Sequence, residues 1–219
     1  MKLLSVKQAR SIWFINLVDL TRGRSLVPLI PGIVEKYKFQ IFPTKPDELD
    51  LSKGVKFLTG TFQKDLKEMA VDLTVFNDGL VADTQSSTED SDDFLNEHLT
   101  WIATELDLVP YQEVLRSKVY LSELWVKTEK NLNALNPKLE NFARRLTSLI
   151  VGHNHHPIAF EMSGITFWTD PIVVNPPGPF RFERAENTPF GERRYYSTAP
   201  LQTDVHLKML EELENILSS

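Results

Sequence analysis

The stretch AVDLTVFNDGLVADTQ, Ala70–Gln85, carries the sharpest local signal in this 219-residue chain. Val71, Leu73 and Val75 alternate with Asp72 and Thr74, the two-residue period of a strand with one buried face. Asn77, Asp78 and Gly79 then supply residues that tolerate positive φ, as a tight hairpin turn requires. A hairpin here makes neighbouring strands antiparallel, and the flanking segments extend the same theme.

Upstream, VKFLTGTF (55–62) and KYKFQIF (36–42) read as strands, the second with Tyr37, Phe39 and Ile41 on one face. SIWFINLV (11–18) is apolar on both alternating sets, the pattern of a strand buried on both faces. Between them TRGRS breaks the chain, and PLIPGIVEK (28–36) reads as a short helix opened by Pro28. PTKPDELDLSKG (43–54) is a loop.

Downstream, Leu95, Leu99, Ile102 and Leu106 fall on one face of a helix. Ser87 or Thr88 caps it, and the acids that follow sit where the helix dipole favours negative charge. SKVYLSELWVKTE (117–129) reads as a strand. A second helix opens at Asn136 with Pro137 in its first turn; Leu139, Phe142, Ala143, Leu146 and Ile150 form its buried stripe, and Gly152 ends it. PIAFEM (157–162) and ITFWTD (165–170) read as a hairpin turning at Ser163-Gly164. FRFERAENTPFGERRYYSTA (180–199) reads as two strands, and a last helix begins at Thr203.

Strands joined as hairpins outnumber strand–helix–strand units. The expectation is an α+β fold with a mainly antiparallel sheet of about ten strands, with three long amphipathic helices and one short helix packed on it. Each half places strands before a long helix, yet no residue-level repeat relates the halves. The chain reads as one domain over 1–219, with room for two lobes divided near residue 130.

Composition bounds the function. Hydrophobic residues are 42% and charged residues 25%, ordinary for a globular protein. The absence of cysteine excludes disulfides, thiolate-held metals and a thiol nucleophile, and fits a reducing compartment. Lys7, Gln8 and Arg10 interrupt any signal-like apolar run, and no stretch approaches a membrane span. The expectation is a soluble, cytoplasmic protein without a membrane partner. Net charge is −6 but uneven: residues 1–40 hold seven Lys/Arg against two acids, and residues 83–107 hold eight acids and no base. These patches either face a partner or meet within the fold.

Three motifs carry candidate chemistry. The 180–199 segment interleaves aromatics and arginines, the residue types enriched at interface cores; Phe180, Arg181, Arg184, Arg193, Arg194 and Tyr195 are its partner-binding candidates. The same mixture holds single-stranded nucleic acid, although three glutamates cut the segment to a net +1. Arg22 and Arg24 flank Gly23 in TRGRS, an anion-binding candidate. GHNHHPIAF (152–160) places His153 and His155 on one face of an extended segment, with Glu161 as the nearest carboxylate. A His₂–carboxylate set of this kind holds a divalent metal such as zinc and activates water. The competing reading is a helix exit, with histidines beside the free carbonyls and Pro157 starting the next segment.

No nucleophile elbow, phosphate loop or H-E-x-x-H motif is present. The leading expectation is therefore a non-catalytic binding or assembly module without a cofactor, a subunit of a larger intracellular complex that contacts another protein or itself. The alternatives are a metal-dependent hydrolase using His153 and His155, and a single-strand nucleic-acid binder using the Arg/aromatic hairpin.

Overall fold

The computed structural model describes residues 1–151 and 159–218. In chain order the elements are β1 (Lys2–Ile15), α1 (Leu17–Thr21), α2 (Ile30–Tyr37), β2 (Val55–Lys64), β3 (Lys67–Phe76), β4 (Gly79–Thr84), α3 (Thr88–Leu106), α4 (Tyr111–Val114), β5 (Leu115–Lys127), α5 (Pro137–Val151), β6 (Gly164–Phe167), β7 (Phe180–Arg184), β8 (Arg194–Ala199) and α6 (Thr203–Ile216). The strands follow the order β2-β3-β4-β1-β5-β8-β7-β6. The pairings β1–β4, β2–β3, β3–β4, β6–β7 and β7–β8 are all antiparallel. The α+β class with an antiparallel sheet holds, with eight strands in place of ten and six helices in place of four among the described residues.

The chain divides into two compact units: a first of residues 6–122 with 200–203, and a second of 1–5, 123–199 and 204–219. Their order of strands and closing helix is the same, although the first has two helices after its opening strand and the second has one. The first runs β1, two helices, β2-β3-β4, then α3; the second runs β5, α5, β6-β7-β8, then α6. In each the opening strand stands beside the last of the three that follow, β1 beside β4 and β5 beside β8. The repeat is thus one of topology, without a matching residue pattern in the sequence.

The β3–β4 hairpin forms with Val71, Leu73 and Val75 inward and Phe76 opposite Gly79. Its turn works differently from the sequence expectation, because none of Asn77, Asp78 and Gly79 has positive φ. The carbonyls of Asp78 and Asn77 instead accept from the backbone N–H groups of Ile15 and Leu17, each at 3.0 Å. Gly79 is required by close approach, since a Cβ there would lie 2.5 Å from the Trp13 carbonyl oxygen.

Three strand expectations are corrected. SIWFINLV stops being a strand at Ile15, because the Asn16 side chain accepts from Val18 N at 2.9 Å and caps α1. Before that point Ser11, Trp13 and Ile15 are buried while Ile12 and Phe14 are half-buried, so only one face is sealed. KYKFQIF is no strand either. α2 continues to Tyr37, Lys38 turns the chain at φ 53°, and Ile41 makes one isolated bridge to Leu58. Tyr37 and Phe39 reach the core from a helix end, edge-on to each other with centroids 5.9 Å apart. Finally, Ala159–Ser163 carries no strand, and β6 pairs with β7 instead.

The first unit packs Trp13, Tyr37, Phe57, Leu73, Phe94 and Leu99 into one core. The second buries Leu124, Val126, Phe182, Tyr195, Leu210 and Leu213. The acidic start of α3 is spent within the first unit. Ser87 Oγ accepts from Asp90 N, Lys67 pairs with Asp90 at 2.7 Å, and Lys64 pairs with Asp93. Two N-terminal cations also meet central acids, Arg10 with Asp83 at 2.8 Å and Lys36 with Glu97 at 3.1 Å. In the described residues no helix is long and apolar enough to cross a membrane.

Candidate functional site

Among the described residues, the second unit exposes several large apolar side chains. Asn136 opens α5, its Oδ1 accepting from Lys138 N at 2.9 Å, and Pro137 occupies the first turn. The expected buried stripe of this helix is not buried. Leu139 and Phe142 are 49% and 59% exposed, and Ala143, Leu146 and Ile150 are only half-buried; Leu149, next to this stripe, is 63% exposed. Phe160 adjoins the same helix, its N–H donating to Thr147 Oγ1 at 3.0 Å, and is itself exposed.

A second apolar stretch follows β6, which ends the strand order and so presents an edge. Phe167 and Trp168 are exposed, and Ile172 and Val174 are 85% and 86% exposed. Asp170 shapes this segment: its carboxylate accepts from Ile172 N at 3.0 Å and its carbonyl from Val173 N. The Arg181 guanidinium lies 5.8 Å from the Trp168 ring, and Phe180 lies 6.0 Å from Phe167. ITFWTD (165–170) reads as a strand in the sequence, but β6 ends at Phe167 and the residues after it lie outside the sheet.

The β7–β8 hairpin distributes the six partner-binding candidates in three ways. Tyr195 is fully buried, stacked on Phe182 with centroids 4.5 Å apart, and burial raises its pKa. Arg184 points inward. It lies 4.3 Å over the Phe190 ring, donates to the Met162 and Phe190 carbonyls at 3.1 and 3.3 Å, and pairs with Glu161. Arg193, in the left-handed conformation, donates to the Glu129 carbonyl. Phe180 and Arg181 are half-buried, and Arg194 is exposed beside Glu192 at 3.1 Å. The buried His206 ring shares a 2.8 Å hydrogen bond with Ser197 Oγ, and burial lowers its pKa to about 4.

His153 and His155 lie outside the described residues. Glu161, their expected carboxylate partner, is the acid held by Arg184. Among the described residues no three His, Asp or Glu side chains gather as a metal site. Arg22 and Arg24 stand on an exposed turn. Arg22 closes α1 at φ 52°, Gly23 follows at φ 75°, and Arg24 donates to the Leu106 carbonyl at 2.7 Å.

No family model matches this chain, and no curated protein does. Among solved structures it is similar to Methanococcus jannaschii TBP, with 12% identity and a TM-score of 0.45 over 99% of this chain and 97% of that one.

Proposed function

We propose that this chain is a non-catalytic binding module that docks a partner protein through the exposed apolar face of its second unit. One observation carries this reading: α5 has the amphipathic spacing of a packed helix, yet Leu139, Phe142 and Leu149 face outward. Large apolar groups gathered on a surface mark interaction sites more often than they mark idle solvent contact. Phe167, Trp168, Ile172 and Val174 add rigid aromatic and aliphatic anchors, and the β6 edge adds backbone hydrogen-bonding groups. Arg181, 5.8 Å from the Trp168 ring, adds a cation beside this stretch and favours a partner with an acidic residue near its apolar contact.

The experiment is affinity capture from native lysate of the full chain, of Phe142→Glu and of Trp168→Glu, with thermal melts alongside. Support is one reproducible protein recovered by the wild type and lost by both variants at unchanged melting temperature. A wild type that stays monomeric and recovers no reproducible protein overturns the reading. So does a chain whose only retained partner is nucleic acid released by salt, because counterion release marks a phosphate-backbone contact.

A further inference from the structure

The first unit has a partly open pocket of about 310 Å³ that nothing in the proposed docking surface uses. It lies among α1, the turn after it, α2, β2, β3, β4 and α3, with Ile33, Phe57, Leu80 and Ile102 among its buried apolar lining. Protein interiors close-pack and leave few voids larger than a water molecule. A space of this size falls at the lower end of ligand pockets, which are apolar with a few placed polar groups.

Two polar groups on this lining stand out. His98 lines the cavity, is fully buried, and has no hydrogen-bond partner for its Nδ1. Tyr37, Phe94 and Trp101 surround the ring with centroids 5.7, 5.8 and 6.3 Å away, so they fix its orientation without satisfying the nitrogen. Burial, with a smaller contribution from the Lys36 charge, lowers its pKa to about 3; the imidazole is neutral near pH 7. The other group is Arg24, also on the lining but exposed at the rim with Gly23 and Ser25. Its Nη1 donates to the Leu106 carbonyl, which anchors the guanidinium and leaves the donors on its other nitrogens for an anion.

We propose that the first unit binds a small hydrophobic carboxylate in this cavity, with the carboxylate on Arg24 and a hydroxyl at the far end of the ligand on His98 Nδ1. The apolar body fills the space between them. The ligand is monoanionic and compact, for the lining offers one guanidinium and the pocket holds about 310 Å³.

The probe is 3-(4-hydroxyphenyl)propionate, titrated calorimetrically into the full chain against two controls: 3-phenylpropionate, without the hydroxyl, and the methyl ester, without the charge. Saturable binding of the hydroxy acid, weakened at least about tenfold in each control, is the expected result. Arg24→Gln, an exposed change that leaves the core intact, should erase the difference between acid and ester. His98→Phe should erase the difference made by the hydroxyl; if that variant does not fold, a shift of the His98 imidazole NMR signals on adding probe to wild type reports the same contact. Absence of saturable binding by the hydroxy acid, or binding indifferent to Arg24→Gln, overturns the proposal.

Discussion

The indole N–H of Trp13 donates to the carboxylate of Asp92 at 2.7 Å. The other oxygen of Asp92 accepts from the Tyr120 hydroxyl at 2.9 Å and lies 3.5 Å from the Lys118 ammonium, which is itself 3.7 Å from the Trp13 ring centroid. One acid from the first turns of α3 thus ties that helix to β1 and to β5 inside the first unit. Removing it strands a buried donor, so Asp92→Ala should destabilise the protein by about 2 kcal/mol. Asp92→Asn keeps an acceptor for one of the two donors and should cost about half as much. Urea unfolding of both variants measures the difference, and equal stabilities for wild type and Asp92→Ala would show that the tie carries no energy.

Acid should weaken the fold from the imidazoles outward. Burial lowers the pKa of His98 to about 3 and of His206 to about 4, both from 6.5. Both rings are therefore neutral in the folded chain at pH values where the unfolded chain has already taken up protons. The unfolded state binds more protons, so stability rises with pH; it is fully present above 6.5 and falls as pH drops toward 4. Each histidine contributes a slope of about 1.4 kcal/mol per pH unit within that window. Chemical denaturation at pH 7, 6 and 5 should show the decline, and His206→Leu should flatten part of it.

Arg184 shows how one residue of the β7–β8 motif is held by segments distant in sequence. Along the strand Phe180, Phe182 and Arg184 fall on one face and Arg181 on the other, so alternation turns Arg184 toward the buried Phe182 side. The Arg184 side chain is 9% exposed, because the Met162 and Phe190 carbonyls and Glu161 surround its guanidinium. Those acceptors come from segments whose approach no local pattern announces. The same contact redefines Glu161 as an ion-pair partner. Arg184→Ala should destabilise by about 2 kcal/mol or more, leaving Glu161 and two carbonyls without their donor. Arg184→Lys should recover little of that loss, since an ammonium cannot span three acceptors with the planar fork of a guanidinium. Thermal melts of the two variants decide it; full rescue by lysine would mean that charge alone matters.

Local signals were legible where the cause is local. The Ser87 cap, the opening of α5 at Asn136 and the β3–β4 alternation each depend on a few adjacent residues, and each appears in the structure. The pocket was not legible, because its lining is drawn from six helices and strands and the turns between them, far apart in sequence. The repeated connectivity was hidden for a related reason: topology constrains which strands pair, while the two units fill their cores with different side chains.

The sharpest contrast lies between two helices with one pattern. Leu95, Leu99 and Ile102 of α3 and Leu139, Phe142 and Leu146 of α5 recur at helical spacing, so periodicity predicts a buried face for both. Periodicity reports that an apolar face exists, and says nothing of what covers it. In α3 the sheet covers it, and Leu99 is fully buried. In α5 the outer part of the face meets solvent, with Phe142 more than half exposed. Leu99→Ala should therefore cost about 2–5 kcal/mol, the loss of a core side chain plus the cavity it leaves. Phe142→Ala should stay within about 0.5 kcal/mol of wild type, as surface changes do. Equilibrium unfolding of the two single variants measures this directly. A large loss from Phe142→Ala would place that ring against something within the chain itself and remove the basis for a docking face.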